Sequence, residues 1–160
     1  ARVLLIALYF REGRFNDALH LLDDFAAHYP KNYLFRLEKA NLLMRMGRKV
    51  EAVEAFDALL DNPQYHDIQD LIRYEYGESL FQTGYAEAAL SHFRKLVALE
   101  SANAQLQTLG YLRIGQALDL RGEREAALTA YQTVLRQENV FDSHKQAERF
   151  VRRPCTRAER

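Results

Sequence analysis

Residues 73–99 read RYEYGESLFQTGYAEAALSHFRKLVAL, with one apolar stripe on each side of Gly84. The first stripe carries Tyr76, Gly77, Leu80 and Phe81, and the second carries Ala89, Leu90, Phe93 and Val97. Apolar residues recurring three and four positions apart mark one buried face of a helix. A glycine between two such stripes marks a reversal of the chain. The stretch therefore predicts two antiparallel helices, with the small residues Gly77 and Ala89 where they approach and large residues filling the remaining gap.

The same arrangement recurs along the chain. Turn glycines stand at Gly13, Gly47, Gly84 and Gly122, separated by 34, 37 and 38 residues. Five positions after each comes an alanine (Ala18, Ala52, Ala89, Ala127), and four further on a large residue (Leu22, Phe56, Phe93, Tyr131). Seven before each glycine lie Ile6, Ala40, Gly77 and Gly115, followed three later by Tyr9, Leu43, Leu80 and Leu118. The pattern predicts helix pairs over 2–12 and 15–29, 32–46 and 49–61, 68–83 and 86–100, and 102–121 and 124–138. Pro30 and the run Asp61-Asn62-Pro63 close the first two pairs, because proline cannot continue a helix. The surplus over 34 residues in the later spacings is close to one helical turn, so the first helices of copies three and four are expected to be longer.

Gly77-x2-Leu80 followed by Ala89-x3-Phe93 resembles the tetratricopeptide signature, and the resemblance covers residues 2–139. It departs from the family pattern where an aromatic is expected eleven positions before the turn glycine. Three copies place Arg2, Arg36 and Arg73 there, and only the fourth has an aromatic, Tyr111. The closing proline is replaced by Ser101 and Asn139 in the last two copies, residues that can cap the next helix instead. The resemblance implies an all-α fold, a right-handed α-α superhelix of antiparallel hairpins. Its expected domain spans 1–153, with repeats over 1–31, 32–66, 67–101 and 102–139. Asp142-Ser143 with Gln146 reads as a capping box opening a terminal helix over 142–152, which would shield the last repeat. Residues 154–160 are expected to form a disordered tail.

Composition narrows the function classes. Lysine plus arginine equals aspartate plus glutamate, 22 against 22, so no bulk attraction to nucleic acid or anionic membrane is implied. No apolar run approaches the length of a membrane span. Residues 3–10, VLLIALYF, have the length of a signal-peptide core, but no small-residue cleavage site follows and they keep the repeat register. Cys155 is the one cysteine, which excludes an internal disulfide or a thiolate zinc cluster. Nothing in the composition fixes a compartment.

No phosphate loop, nucleophile elbow or paired metal-ligand motif is present. His20, Asp24 and His28 are ligand types at successive i+4 spacing, but they fall opposite the stripe of Ala18, Leu22 and Phe25 and read as a wet face. Glu75 and Glu78 are read as surface charges, since nothing near them supplies a nucleophile. The basic tail (Arg152, Arg153, Arg157, Arg160) is short and lacks interleaved aromatics. The expectation is a non-enzymatic chain without cofactor or metal.

In the family, the first helices of successive hairpins line a concave groove. Carried onto this chain, that implies a partner-binding face of Leu37, Asn41, Met44 and Arg45, then Tyr74, Glu78, Phe81 and Gln82, then Leu112, Gln116 and Asp119. The lysines of a carboxylate-gripping variant are absent, although Asn41 and Arg113 match two such positions. A mixed groove suits a protein or peptide segment with apolar anchors, so the implied role is a protein-binding scaffold. The alternative is a self-association module of a larger assembly, such as a bacterial envelope protein. Residues 3–10 are apolar all round, which calls for cover. Leu4 and Leu8 are therefore expected at an N-terminal interface, met by upstream repeats or a second copy of the chain.

Overall fold

Four reversals of the chain are made the same way. At Gly84 (φ +99°) the glycine N–H donates to the Phe81 carbonyl at 3.1 Å and the Tyr85 N–H to the Leu80 carbonyl at 2.8 Å. This pairing satisfies the last carbonyls of the preceding helix and needs a left-handed residue, which glycine adopts without steric cost. The bonds repeat at Gly47, where Gly47 and Arg48 donate to Met44 and Leu43, both at 3.0 Å.

The computed structural model describes residues 2–159, with the side chains of residues 2–4 and 7 outside that description. Among the described residues there are nine α-helices and no strand. They are α1 (Arg2–Arg11), α2 (Phe15–His28), α3 (Tyr33–Arg45), α4 (Lys49–Leu60), α5 (Gln69–Gln82), α6 (Ala86–Val97), α7 (Ala104–Leu120), α8 (Arg124–Arg136) and α9 (Ser143–Arg152). The fold is thus the expected all-α helical repeat. The chain divides into two compact units, Ala1–His66 and Asp67–Arg160. The first holds α1–α4 and the second α5–α9, and within each unit successive helices pack in pairs.

Close crossing explains the small residues. A Cβ on Gly77 would stand 2.6 Å from Cε1 of the buried Phe93 ring, and one on Gly115 would meet the Tyr131 ring more closely still. Ala18, Ala40, Ala52, Ala89 and Ala127 have no exposed surface at all. Arg36 accounts for one missing aromatic. Its guanidinium donates to the carbonyls of Pro30 (2.8 Å) and Ala26 (3.4 Å), closing the end of α2, and to the Tyr65 hydroxyl at 3.3 Å. A cation at a helix C-terminus is favourably placed against the helix dipole.

The longer first helices are found in one copy and not in the other. α7 has 17 residues against 13 in α3, capped by Asn103, whose side chain accepts from the Gln105 and Leu106 amides. α5 has only 14, and the extra residues of that copy form a separate 3-10 segment, Pro63–Ile68, broken at Tyr65 (φ −111°, ψ 20°). Tyr65 is buried, so burying its ring replaces the expected extra turn.

Two expectations for the C-terminus are corrected. Asp142 sits at φ +59° after Phe141 at φ +46°, and its side chain makes no cap bond. The Asn139 side chain caps α9 instead, accepting from the His144 amide at 3.1 Å and the Ser143 hydroxyl at 3.3 Å. Residues 154–159 are held by polar contacts, the Cys155 amide donating to a buried acid and Glu159 pairing with arginines at the end of α9. The Asp119 carboxylate, fully buried, accepts from the Tyr131 hydroxyl (2.8 Å), from Arg124 (2.9 Å) and from the Cys155 amide (2.8 Å). Glu159 pairs with Arg153 at 2.6 Å and with Arg149, and accepts from the Thr156 amide at 3.1 Å. Polar composition alone made this segment look solvated.

Two stability outcomes follow from these contacts. Gly77→Ala and Ala89→Leu each overpack a crossing and should lower the urea midpoint, by roughly 1–3 kcal/mol. Asp119→Ala strands the Tyr131 hydroxyl, the Arg124 guanidinium and the Cys155 amide together, at roughly 3–5 kcal/mol. Native Cys155, buried in the parent, should then react quickly with a thiol reagent, and a reaction as slow as the parent's would contradict this anchoring of the tail.

Candidate partner-binding faces

A helix that commits one stripe to packing leaves the opposite stripe open. In α3 the committed residues are Leu37, Ala40, Leu42, Leu43 and Met44, all buried. Leu34, Glu38, Asn41 and Arg45, spaced by four, three and four positions, share the open side. This open side forms a wall of a cavity of about 580 Å³ within the first unit. Ile6 and Phe10 of α1, Leu22 of α2, and Leu34 and Phe35 of α3 give it apolar walls, while Asn32, Glu38 and Arg45 are its polar members. That volume lies in the range of ordinary ligand pockets.

The polar members differ in how far they are satisfied. The Asn32 side chain accepts from the Leu34 amide at 3.1 Å, capping α3. The Arg45 guanidinium lies 4.9 Å from the centre of the Phe10 ring, a cation–π arrangement. Glu38 has no hydrogen bond or ion pair among the described residues. Crowding by its surroundings raises its carboxyl pKa above the usual range, against the opposing pull of Arg45.

The corresponding face of the second unit is closed by its own charges. Arg113 of α7 grips Glu78 of α5 with two nitrogens, one at 2.7 Å, and donates a third bond to Gln116 at 2.9 Å. Its guanidinium also lies 5.3 Å from the centre of the Phe81 ring. Bidentate pairs of this kind are among the stronger polar contacts. Beside them, burial and the nearby Glu78 charge push the Tyr74 phenol up to about 12.

The sequence-derived face thus separates into two sets. Asn41, Arg45, Tyr74, Glu78 and Gln82 keep exposed or half-exposed side chains, whereas Leu37, Met44, Phe81, Leu112 and Gln116 are buried and support the face from beneath. Asp119 belongs to neither set, because its carboxylate anchors the tail. The Leu4 side chain lies outside the described part of the structure, and Leu8 is exposed together with Leu5. Asn32, Phe35 and Glu38 were missed. Glu38 was legible one helical turn after Leu34, but the groove positions carried over from the family do not include it.

Other polar clusters close on themselves. A cavity of about 170 Å³ between Asn16, His20, Asp23, Lys39, Arg48 and Glu51 is spanned by the pairs Lys39–Asp23 and Arg48–Glu51, each at 2.5 Å. The His28 Nδ1 lies 2.7 Å from the Asp24 carbonyl oxygen, within its own helix. Among the described residues, no three acidic, histidine or cysteine side chains group as metal ligands, and no helix is long and apolar enough to cross a membrane.

Two family models match the chain, each described as a tetratricopeptide repeat, over residues 4–67 and 110–138. The hairpin of α5 and α6 falls between the two matches. No curated protein and no solved structure matches the chain.

One buried titratable group gives a pH signature. His92 of α6 lies with its ring centre 3.9 Å from that of Tyr76, and its Nδ1 is buried without a hydrogen-bond partner. Burial first, then the charges of Lys95 and Arg73, push its pKa down from 6.5 to about 4. The unfolded imidazole takes up a proton below pH 6.5 while the folded one stays neutral to about pH 4. Stability is therefore full above that window and falls as the pH drops through it, by at most about 3 kcal/mol. His92→Phe should flatten this part of the stability–pH curve relative to the parent, which urea titrations across the window would measure.

Proposed function

We propose that this chain, which belongs to the tetratricopeptide repeat family, is a non-catalytic scaffold that holds a segment of a protein partner in the α1–α3 groove of its first unit. Repeats of this family generally mediate protein–protein interactions. The observation that carries the reading is the groove itself, apolar on its walls and fringed by Asn32, Glu38 and Arg45, with Asn41 on the same side of α3. An apolar cleft with a few polar groups at its edge anchors large side chains while fixing the orientation of the segment that carries them.

Binding variants test the assignment. Asn41→Ala, Leu34→Ala and Arg45→Ala should each weaken a peptide selected for binding to the chain, with urea midpoints close to the parent's because all three side chains are at least partly exposed. His20→Ala and His28→Ala, away from the groove, should leave affinity unchanged. Equal losses from the histidine pair would place the site elsewhere.

A further inference from the structure

The charges around the α1–α3 groove are unequal in their partners, and the difference selects an occupant. Arg45 rests against the Phe10 ring. Glu38, one helical turn from Leu34, lines the same cavity without a hydrogen bond or ion pair among the described residues, Arg45 acting on it only as a more distant charge. We propose that the groove takes a peptide segment carrying a large apolar anchor with a lysine or arginine beside it, the anchor seated among Phe10, Leu22, Leu34 and Phe35 and the cation paired with Glu38. This rests on the reading of the groove as the partner site.

The geometry restricts where the cation stands. Glu38 projects from α3 one turn, about 5 Å of axial rise, from Leu34. An anchor lying over Leu34 therefore puts its basic neighbour within one helical turn, or two residues of extended chain, along the bound segment. An acidic residue in that place meets a carboxylate that no ion pair neutralises and is rejected, so Glu38 acts as a filter as much as an anchor. Arg45 stands seven positions further along α3, roughly 10 Å away, and favours an acidic or neutral residue at that end of the segment. The direction in which the segment lies is thereby fixed as well. Burial raises the Glu38 carboxyl pKa, against the opposing pull of Arg45.

Panning a randomised dodecapeptide phage library against the whole chain and against its Glu38→Lys variant tests the proposal, with circular dichroism confirming that both fold. The parent should enrich a large apolar residue with lysine or arginine within four positions, and the variant the same anchor with aspartate or glutamate. With one selected basic peptide, Glu38→Gln should lower affinity by about two- to fivefold. It should leave unchanged the affinity of the same peptide with its basic residue replaced by glutamine. Enrichment of an anchor without a charge preference, or a preference that Glu38→Lys does not reverse, overturns the proposal while leaving a peptide-binding groove in place. Failure of the parent to enrich any peptide overturns the groove reading, and this inference with it.

Discussion

The close crossing of paired helices is the contact on which the rest of the structure depends. Where Gly77 meets Phe93 and Gly115 meets Tyr131, one helix gives up its side chain so that a ring of the other can fill the space. The corresponding positions trade volume: Ile6 with Leu22, Ala40 with Phe56, Gly77 with Phe93, Gly115 with Tyr131. A large residue on one side goes with a smaller one on the other, as expected of interiors packed at crystal density. Because these stripes are consumed by packing, only the opposite faces of the helices are free to carry chemistry that differs from repeat to repeat.

Those free faces have been used differently in the two units. In the second, Glu78 and Arg113 neutralise each other, and Asp119 gathers Tyr131, Arg124 and the Cys155 amide around one buried carboxylate. Burial and the Asp119 charge hold the Tyr131 phenol well above its usual range. Such networks add little net stability over an apolar core, but breaking one partner is costly, so they hold this part of the molecule in a single arrangement. In the first unit the equivalent face keeps an unpaired acid, a ring-stacked arginine and an apolar cleft. The proposed binding is placed there because that is where unsatisfied groups and accessible apolar surface coincide.

The helix pairs were legible because periodicity and the turn glycines report the same packing constraint at many offsets, and a stripe one residue out of phase would have failed at once. Residues 73–99 carry the constraint in its strictest form, with glycine against phenylalanine. The site was less legible. Met44, Phe81 and Leu112 occupy family groove positions but are needed by the core, and sequence spacing does not tell an open side chain from one folded inward by a degree of helix rotation. Asp119 was read as a groove acid because the donors that claim it, Tyr131, Arg124 and Cys155, lie between 5 and 36 positions away. The extra residues of the third copy have the length of a helical turn, yet a tyrosine with a buried place to go broke them into a 3-10 segment.

Amide chemical-shift mapping of the isotope-labelled chain, titrated with a peptide selected against it, tests the account most directly. The largest shifts should fall on Phe10, Leu34, Phe35, Glu38, Asn41 and Arg45, with the amides of His20, His28 and Val50 unmoved. Shifts concentrated on the outer residues of α2 and α4, with the α1–α3 groove silent, would contradict it.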